Sequence, residues 1–91
     1  MSQNSENFNT AAKVVLTLSS SPSNDEKLSL YKYFKQATVG DINTDRPGML
    51  DFAGKAKWDA WNSVKGTTKH DSEVNYIKLV NSLITKYCVN Q

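Results

Sequence analysis

Apolar residues return every three or four positions in four stretches of the chain, and polar, Gly and Pro residues gather between them. That spacing puts side chains on one face of an α-helix, so each stretch predicts an amphipathic helix. In the first, Phe8, Ala11, Ala12, Val15 and Leu18 share a face, and the Ser- and Pro-rich run at 19–24 ends it. Ser23, followed three residues later by Glu26, has the form of a capping box, and Asp25 and Glu26 suit the positive end of a helix dipole. The second helix carries Leu28, Tyr31 and Lys35 on one face and Leu30, Phe34 and Ala37 on an adjoining one. It stops at Gly40, a residue at ease in the left-handed conformation that closes many helices.

Asn, Asp, Pro and Gly crowd into positions 41–50, which predicts an irregular loop with a turn at Arg46-Pro47-Gly48. A third helix follows from about Phe52 to Lys65 and ends at Gly66. Thr68 with Asp71 repeats the capping pattern, and Tyr76, Ile77, Val80, Leu83, Ile84 and Tyr87 then form the longest apolar stripe. No stretch reads as a strand. The expectation is an all-α domain spanning 1–91, with helices at about 6–18, 24–39, 52–65 and 68–87 packed as neighbours through short connections.

Size and charge narrow the functional classes. A chain of 91 residues buries only about 60–70% of its unfolded surface, which leaves little room for a large catalytic cleft. A formal net charge of +2 falls short of what a dedicated nucleic-acid binder carries, so nucleic acid is not an expected partner and any anion site must be local. The single cysteine, Cys88, cannot pair internally and has no neighbouring base, which fits a spare thiol in a reducing compartment. The opening "MSQNSENF" has neither a basic start nor an apolar run, and no segment reaches membrane-spanning length. A cytoplasmic monomer is the expectation.

The inventory of reactive groups argues against catalysis. His70, the one histidine, sits between Lys69 and Asp71 in a polar helix start, and no metal-ligand spacing, phosphate-cradling glycine loop or paired nucleophile and base occurs. The carboxylates read as scattered over caps and exposed faces. The lysines carry more information: Tyr31 and Lys35 lie four apart, so a phenol hydroxyl and an ammonium point at one region of space. If Lys57 of the third helix joined them, the three groups would suit a phosphate monoester. Spacing alone equally allows both lysines to be solvated surface. Trp58 and Trp61 read as core because each ring buries so much apolar area, while Tyr76 needs a partner or solvent for its hydroxyl and so suits the mouth of a groove as well as the interior. Phe8 with Tyr76 would close the first helix against the fourth.

The stretch "YFKQATVGDINTDRPGMLDFAGKAKWDAW", Tyr33 to Trp61, resembles the acyl-CoA-binding protein family. The "F..AA..V..L" of the first helix, the "KGT.K.D" at Lys65–Asp71 and the placement of Tyr76 extend the likeness over nearly the whole chain. The resemblance implies a skewed four-helix bundle that binds medium- to long-chain acyl-CoA esters non-covalently, buffers and transports them, and hands them to acyl-CoA-using enzymes. It implies no cofactor beyond that ligand. It places Tyr31, Lys35 and Lys57 at the 3′-phosphate and adenine end of CoA, Phe34 where the family usually offers a tyrosine ring to the adenine, and Tyr76 further along the ligand. Ala12 and Leu28 correspond to the groove for the acyl chain. Two positions depart at the rim: Leu16 and Ala53 stand where the family commonly has lysines, with Lys13 one turn before Leu16 able to supply part of the missing charge. The competing reading is a helical module that recruits a protein or membrane partner without ligand specificity.

Overall fold

The computed structural model describes residues 4–18 and 20–87, and the reading of Cys88 lies outside them. Four α-helices are present among the described residues: α1 (Glu6–Val14), α2 (Asn24–Thr38), α3 (Phe52–Asn62) and α4 (Lys69–Tyr87). No strand occurs among the described residues.

Local chemistry explains where each helix begins. The Ser5 hydroxyl accepts from the Phe8 amide at 3.1 Å and starts α1. At α2 both halves of the expected capping box are made: the Glu26 amide donates to Ser23 Oγ at 3.2 Å and the Ser23 amide donates to Glu26 Oε1 at 2.7 Å. Asp51 caps α3 through the Gly54 amide at 2.9 Å, and Thr68 Oγ1 accepts from the Asp71 amide at 3.0 Å just before α4. The ends depart from the periodicity more than the starts do. α1 stops at Val14 and tightens into a 3-10 turn over Val15–Thr17, where Thr17 Oγ1 donates to the Val14 carbonyl at 2.7 Å instead of letting the helix run to residue 18. α3 likewise ends at Asn62, not 65, because Val64 and Lys65 turn their amides to the Trp61 and Asn62 carbonyls, three residues back, at 3.1 and 3.2 Å. Gly40 and Gly66 hold φ of 102° and 92°, the left-handed conformation expected where the chain leaves α2 and the turns after α3.

The tertiary arrangement is an open row. α2 packs against both α3 and α4, and α1 packs on α4. Phe8, Ala11, Ala37, Tyr76 and Val80 form the central buried cluster, flanked by Leu30, Tyr33, Ile77 and Ile84. The expected closure of the first helix on the fourth is therefore present, with the Phe8 and Tyr76 ring centroids 4.8 Å apart. α1 and α2 lie side by side on α4 and meet through side chains, so a trough remains between them.

One carboxylate corrects the sequence reading. Glu73 is buried rather than exposed. It accepts from Asn4 Nδ2 at 2.8 Å and from the Ser5 amide at 2.9 Å, while Asn4 Nδ2 and Lys69 Nζ also donate to the Ala37 carbonyl at 3.0 and 2.9 Å. Burial pushes the Glu73 carboxyl upward, but these donors and the nearby Lys69 charge bring it below its ordinary range. The start of α1, the end of α2 and the start of α4 are thereby tied at one polar junction.

Candidate functional site

Two hollows flank the outward ridge of α2. The first is the trough between α1 and α2, a cavity of about 630 Å³ with Phe8, Ala12, Lys13 and Leu16 from α1 and its following turn, Phe34 from α2, and Tyr76 from α4. Its wall is a three-ring cluster. Phe8 and Phe34 stack with an interplanar angle of 24° and centroids 5.7 Å apart, and Tyr76 lies 4.8 Å from Phe8 and 6.0 Å from Phe34. Phe8 and Tyr76 are nearly fully buried, whereas Phe34 keeps 38% of its surface exposed, so one large aromatic face remains available above a fixed floor. Tyr76 thus belongs to both alternatives left open by its spacing: it is interior by burial, and it lines a cavity. Burial raises the pKa of its phenol above the ordinary value.

The second hollow, about 330 Å³, lies between α2 and α3. Leu28, Tyr31, Ala53 and Ala56 form its apolar surfaces, and Lys27 and Lys57 stand at its edge. The Lys57 ammonium is 5.7 Å from the centroid of the Tyr31 ring, within the reach of a cation–π attraction that holds it over the cavity. No carboxylate lines either hollow. Lysines are thus the charged side chains in the two linings, although the whole chain carries only +2.

The structure brings together some expected site residues and separates others. Tyr31, Lys57, Leu28 and Ala53 share the α2–α3 cavity, while Phe34, Tyr76, Ala12, Lys13 and Leu16 share the trough. Ala12 and Leu28 do not line a single groove: Ala12 belongs to the trough and Leu28 to the α2–α3 cavity. Lys35 lines neither hollow; its ammonium sits 4.9 Å from the centroid of a Trp61 ring on the same α2–α3 side as Lys57. Leu16 is 84% exposed at the trough wall. Phe8, Lys27 and Ala56 are among the additions to the expected set. Lys27 carried a signal, since it precedes Tyr31 by four residues, and Ala56 follows Ala53 by three; Phe8 had been assigned only to packing.

The connection between α2 and α3 is fixed from the α3 side. The Trp61 indole donates to the Gly40 carbonyl and the Trp58 indole to the Thr44 carbonyl, both at 2.8 Å. Arg46 grips Asp59 through two hydrogen bonds of 2.9 Å, holding that carboxyl below its usual range. Trp61 is core as its spacing implied, but Trp58 is only half buried and acts as a staple on the loop. The turn closes later than expected, with the Asp51 amide donating to the Gly48 carbonyl at 3.1 Å, because Asp51 must also cap α3.

No group of three or more His, Cys, Asp or Glu side chains suited to a metal ion occurs among the described residues. No described helix is long and apolar enough to cross a membrane.

Comparison with known proteins assigns this architecture. The sequence profile of the family described as acyl-CoA-binding protein matches residues 5–80. The chain is 58% identical over 80 residues to acyl-CoA-binding protein homolog 1 of Caenorhabditis elegans, covering 88% of this chain and 93% of that protein. It is 52% identical over 83 residues to the acyl-CoA-binding protein homolog of Drosophila melanogaster, covering 91% and 96%. Among solved structures, acyl-CoA-binding protein 2 of Oryza sativa superposes with a TM-score of 0.84 at 41% identity over 89% of this chain and 90% of that one. The ACBP of Moniliophthora perniciosa gives 0.83 at 47% identity over 93% and 85%. With the sequence match spanning most of its length and the same helical architecture in its structural neighbours, the chain belongs to the acyl-CoA-binding protein family.

Proposed function

We propose that this protein binds medium- to long-chain acyl-CoA esters non-covalently and carries them, as a monomeric single domain with no catalytic step, to acyl-CoA-using enzymes in the cytoplasm. The observation that supports this most directly is the pair of hollows on either side of α2, one walled by aromatic rings and the other apolar with lysines at its edge. An acyl-CoA has a planar base, phosphate groups and an aliphatic chain, and the hollows offer a surface to each. The aromatic trough takes the adenine against Phe34. Tyr31, Lys57 and Lys35 face the 3′-phosphate, and the chain runs along Leu28, Ala53 and Ala56. Ala12 then belongs to the nucleotide end rather than the acyl end, since it shares the trough with Phe34.

The division of energy follows from the chemistry. Each methylene withdrawn from water contributes about 0.8 kcal/mol before ordering costs, whereas charge-assisted hydrogen bonds to phosphate, about 1.5–3 kcal/mol each, orient the ligand and discriminate against plain fatty acids. Titration calorimetry with palmitoyl-CoA, CoA and palmitate is the test. Saturable binding of palmitoyl-CoA at least about a hundredfold tighter than of palmitate is expected. Equal affinity for the two would overturn the assignment.

A further inference from the structure

Lys27 lines the α2–α3 cavity, yet it is not among the groups that face the 3′-phosphate. Helix geometry gives its place. The Lys35 ammonium of α2 lies 4.9 Å from a Trp61 ring centroid of α3, and one turn earlier on both helices the Lys57 ammonium lies 5.7 Å from that of Tyr31. α2 and α3 thus advance in the same direction, and one further turn back brings Lys27 level with Ala53, which lines the same cavity. Lys27 therefore stands about 12 Å along α2 from Lys35, at the end of the cavity remote from the phosphate groups. Asn24, three residues before Lys27 and on the same helical face, adds a polar amide at that end. Between the two ends, Leu28 and Ala56 keep the wall apolar.

The surroundings of Lys27 leave its charge unmatched. Ser23 and Asn24 precede it by four and three residues, and Leu30 and Tyr31 follow it by three and four, so its helical neighbours include no carboxylate. Glu26, the adjacent acid, is engaged by Lys86, Tyr87 and the Ser23 amide. Among the described residues Lys27 enters no ion pair, whereas Lys55 and Lys69 donate to carbonyls and Lys35 and Lys57 lie over rings. A methyl-ended chain laid along Leu28, Ala53 and Ala56 gains nothing from an ammonium and an amide at its far end. A chain ending in an anion recovers there the solvation it loses on entering the cavity. We propose that Lys27, with Asn24, selects acyl-CoA thioesters whose chain ends in a carboxylate, the mono-CoA thioesters of long α,ω-dicarboxylic acids. Selection of this class rests on the carrier reading, because the 3′-phosphate must be held at Tyr31, Lys35 and Lys57 for the far end of the chain to reach Lys27.

Titration calorimetry of the full chain with palmitoyl-CoA, hexadecanedioyl-CoA and the ω-methyl ester of hexadecanedioyl-CoA tests the assignment in wild type, Lys27→Met and Lys27→Arg. Wild type is expected to bind hexadecanedioyl-CoA within about tenfold of palmitoyl-CoA, because the chain-end carboxylate finds a partner. In Lys27→Met, which keeps an unbranched stem but no charge, the gap between the two should widen by at least about fivefold, whereas Lys27→Arg should hold it near the wild-type value. The gap between palmitoyl-CoA and the uncharged ester should not widen in Lys27→Met, which separates recognition of charge from a change in cavity shape. Comparing ligands within each protein cancels any effect of the substitution on folding. A gap above about tenfold in wild type, or one that widens by less than about fivefold in Lys27→Met, overturns the proposal while palmitoyl-CoA binding leaves the carrier reading standing. Equal widening for the ester or in Lys27→Arg overturns it in the same way. Wild type that binds no palmitoyl-CoA would overturn both.

Discussion

At the residue scale, Lys57 and Lys35 have different surroundings despite their equivalent appearance in the sequence. Lys57 is exposed at the α2–α3 cavity, with its ammonium 5.7 Å from the Tyr31 ring centroid. Lys57→Ala should weaken palmitoyl-CoA binding roughly tenfold to a hundredfold, the loss of one charge-assisted hydrogen bond, with the thermal midpoint unchanged. Lys35 is half buried and covers Trp61, the ring that holds the Gly40 carbonyl. Lys35→Ala should therefore lower both ligand affinity and stability, the latter by about 0.5–1 kcal/mol from the lost cation–π contact. Calorimetry and chemical denaturation on both variants check the contrast; a stability loss in Lys57→Ala equal to that in Lys35→Ala would refute it. Spacing revealed the pairing of Tyr31 with Lys35 in sequence but not these environments, because both depend on where α3 lies against α2.

At the scale of elements, α2 and α4 are tied at their far ends by Glu26. It closes the capping box of α2, accepts from Lys86 Nζ at 2.7 Å and takes the Tyr87 hydroxyl at 2.5 Å. The Lys86 ammonium first, then the Tyr87 hydroxyl and the Ser23 amide, hold its carboxyl at about 2, against an ordinary value of 4.5. A carboxylate depressed on folding stabilises the fold fully above its unfolded pKa, and the contribution is lost as pH falls through the folded value. The stability advantage of the wild type over Glu26→Gln should accordingly be constant near neutrality, begin to shrink below pH 4.5 and vanish near pH 2. Denaturant titrations across that window measure it, and an advantage independent of pH would show that Glu26 acts through packing alone. The cap at Ser23 and Glu26 was legible because it is local; the bond to Lys86, sixty residues away, was not.

On the same scale, Phe8 both fastens α1 to α4 and forms the floor of the trough. Phe8→Ala should cost about 3–5 kcal/mol by opening a cavity among Tyr76, Val80 and Phe34. A loss below about 1 kcal/mol in chemical denaturation would contradict its place in the core.

For the whole molecule, the open row of helices leaves hollows on both sides of α2, whereas a closed bundle would have filled that space with side chains. The proposed ligand spans both, so affinity should depend on chain length as well as on CoA. Acetyl-CoA should bind far more weakly than palmitoyl-CoA, with an increment per methylene below the limit of about 0.8 kcal/mol. A calorimetric series from acetyl to palmitoyl with no dependence on length would remove the α2–α3 cavity as the acyl site.

Periodicity and capping chemistry, which act over three or four residues, were enough to determine the four helices, their starts and the glycine exits. The motifs between Tyr33 and Trp61 were enough to point to the family. What tertiary structure alone decided is which faces meet. It put Ala12 beside Phe34 rather than Leu28, buried Glu73 under Asn4 and Ser5, made Trp58 a staple instead of core, and left Met49, Leu50 and Phe52 in the open. The physical reason is range: a helix forms from neighbours along the chain, but burial, cavity shape and local charge arise from groups tens of residues apart, whose meeting depends on how whole helices pack.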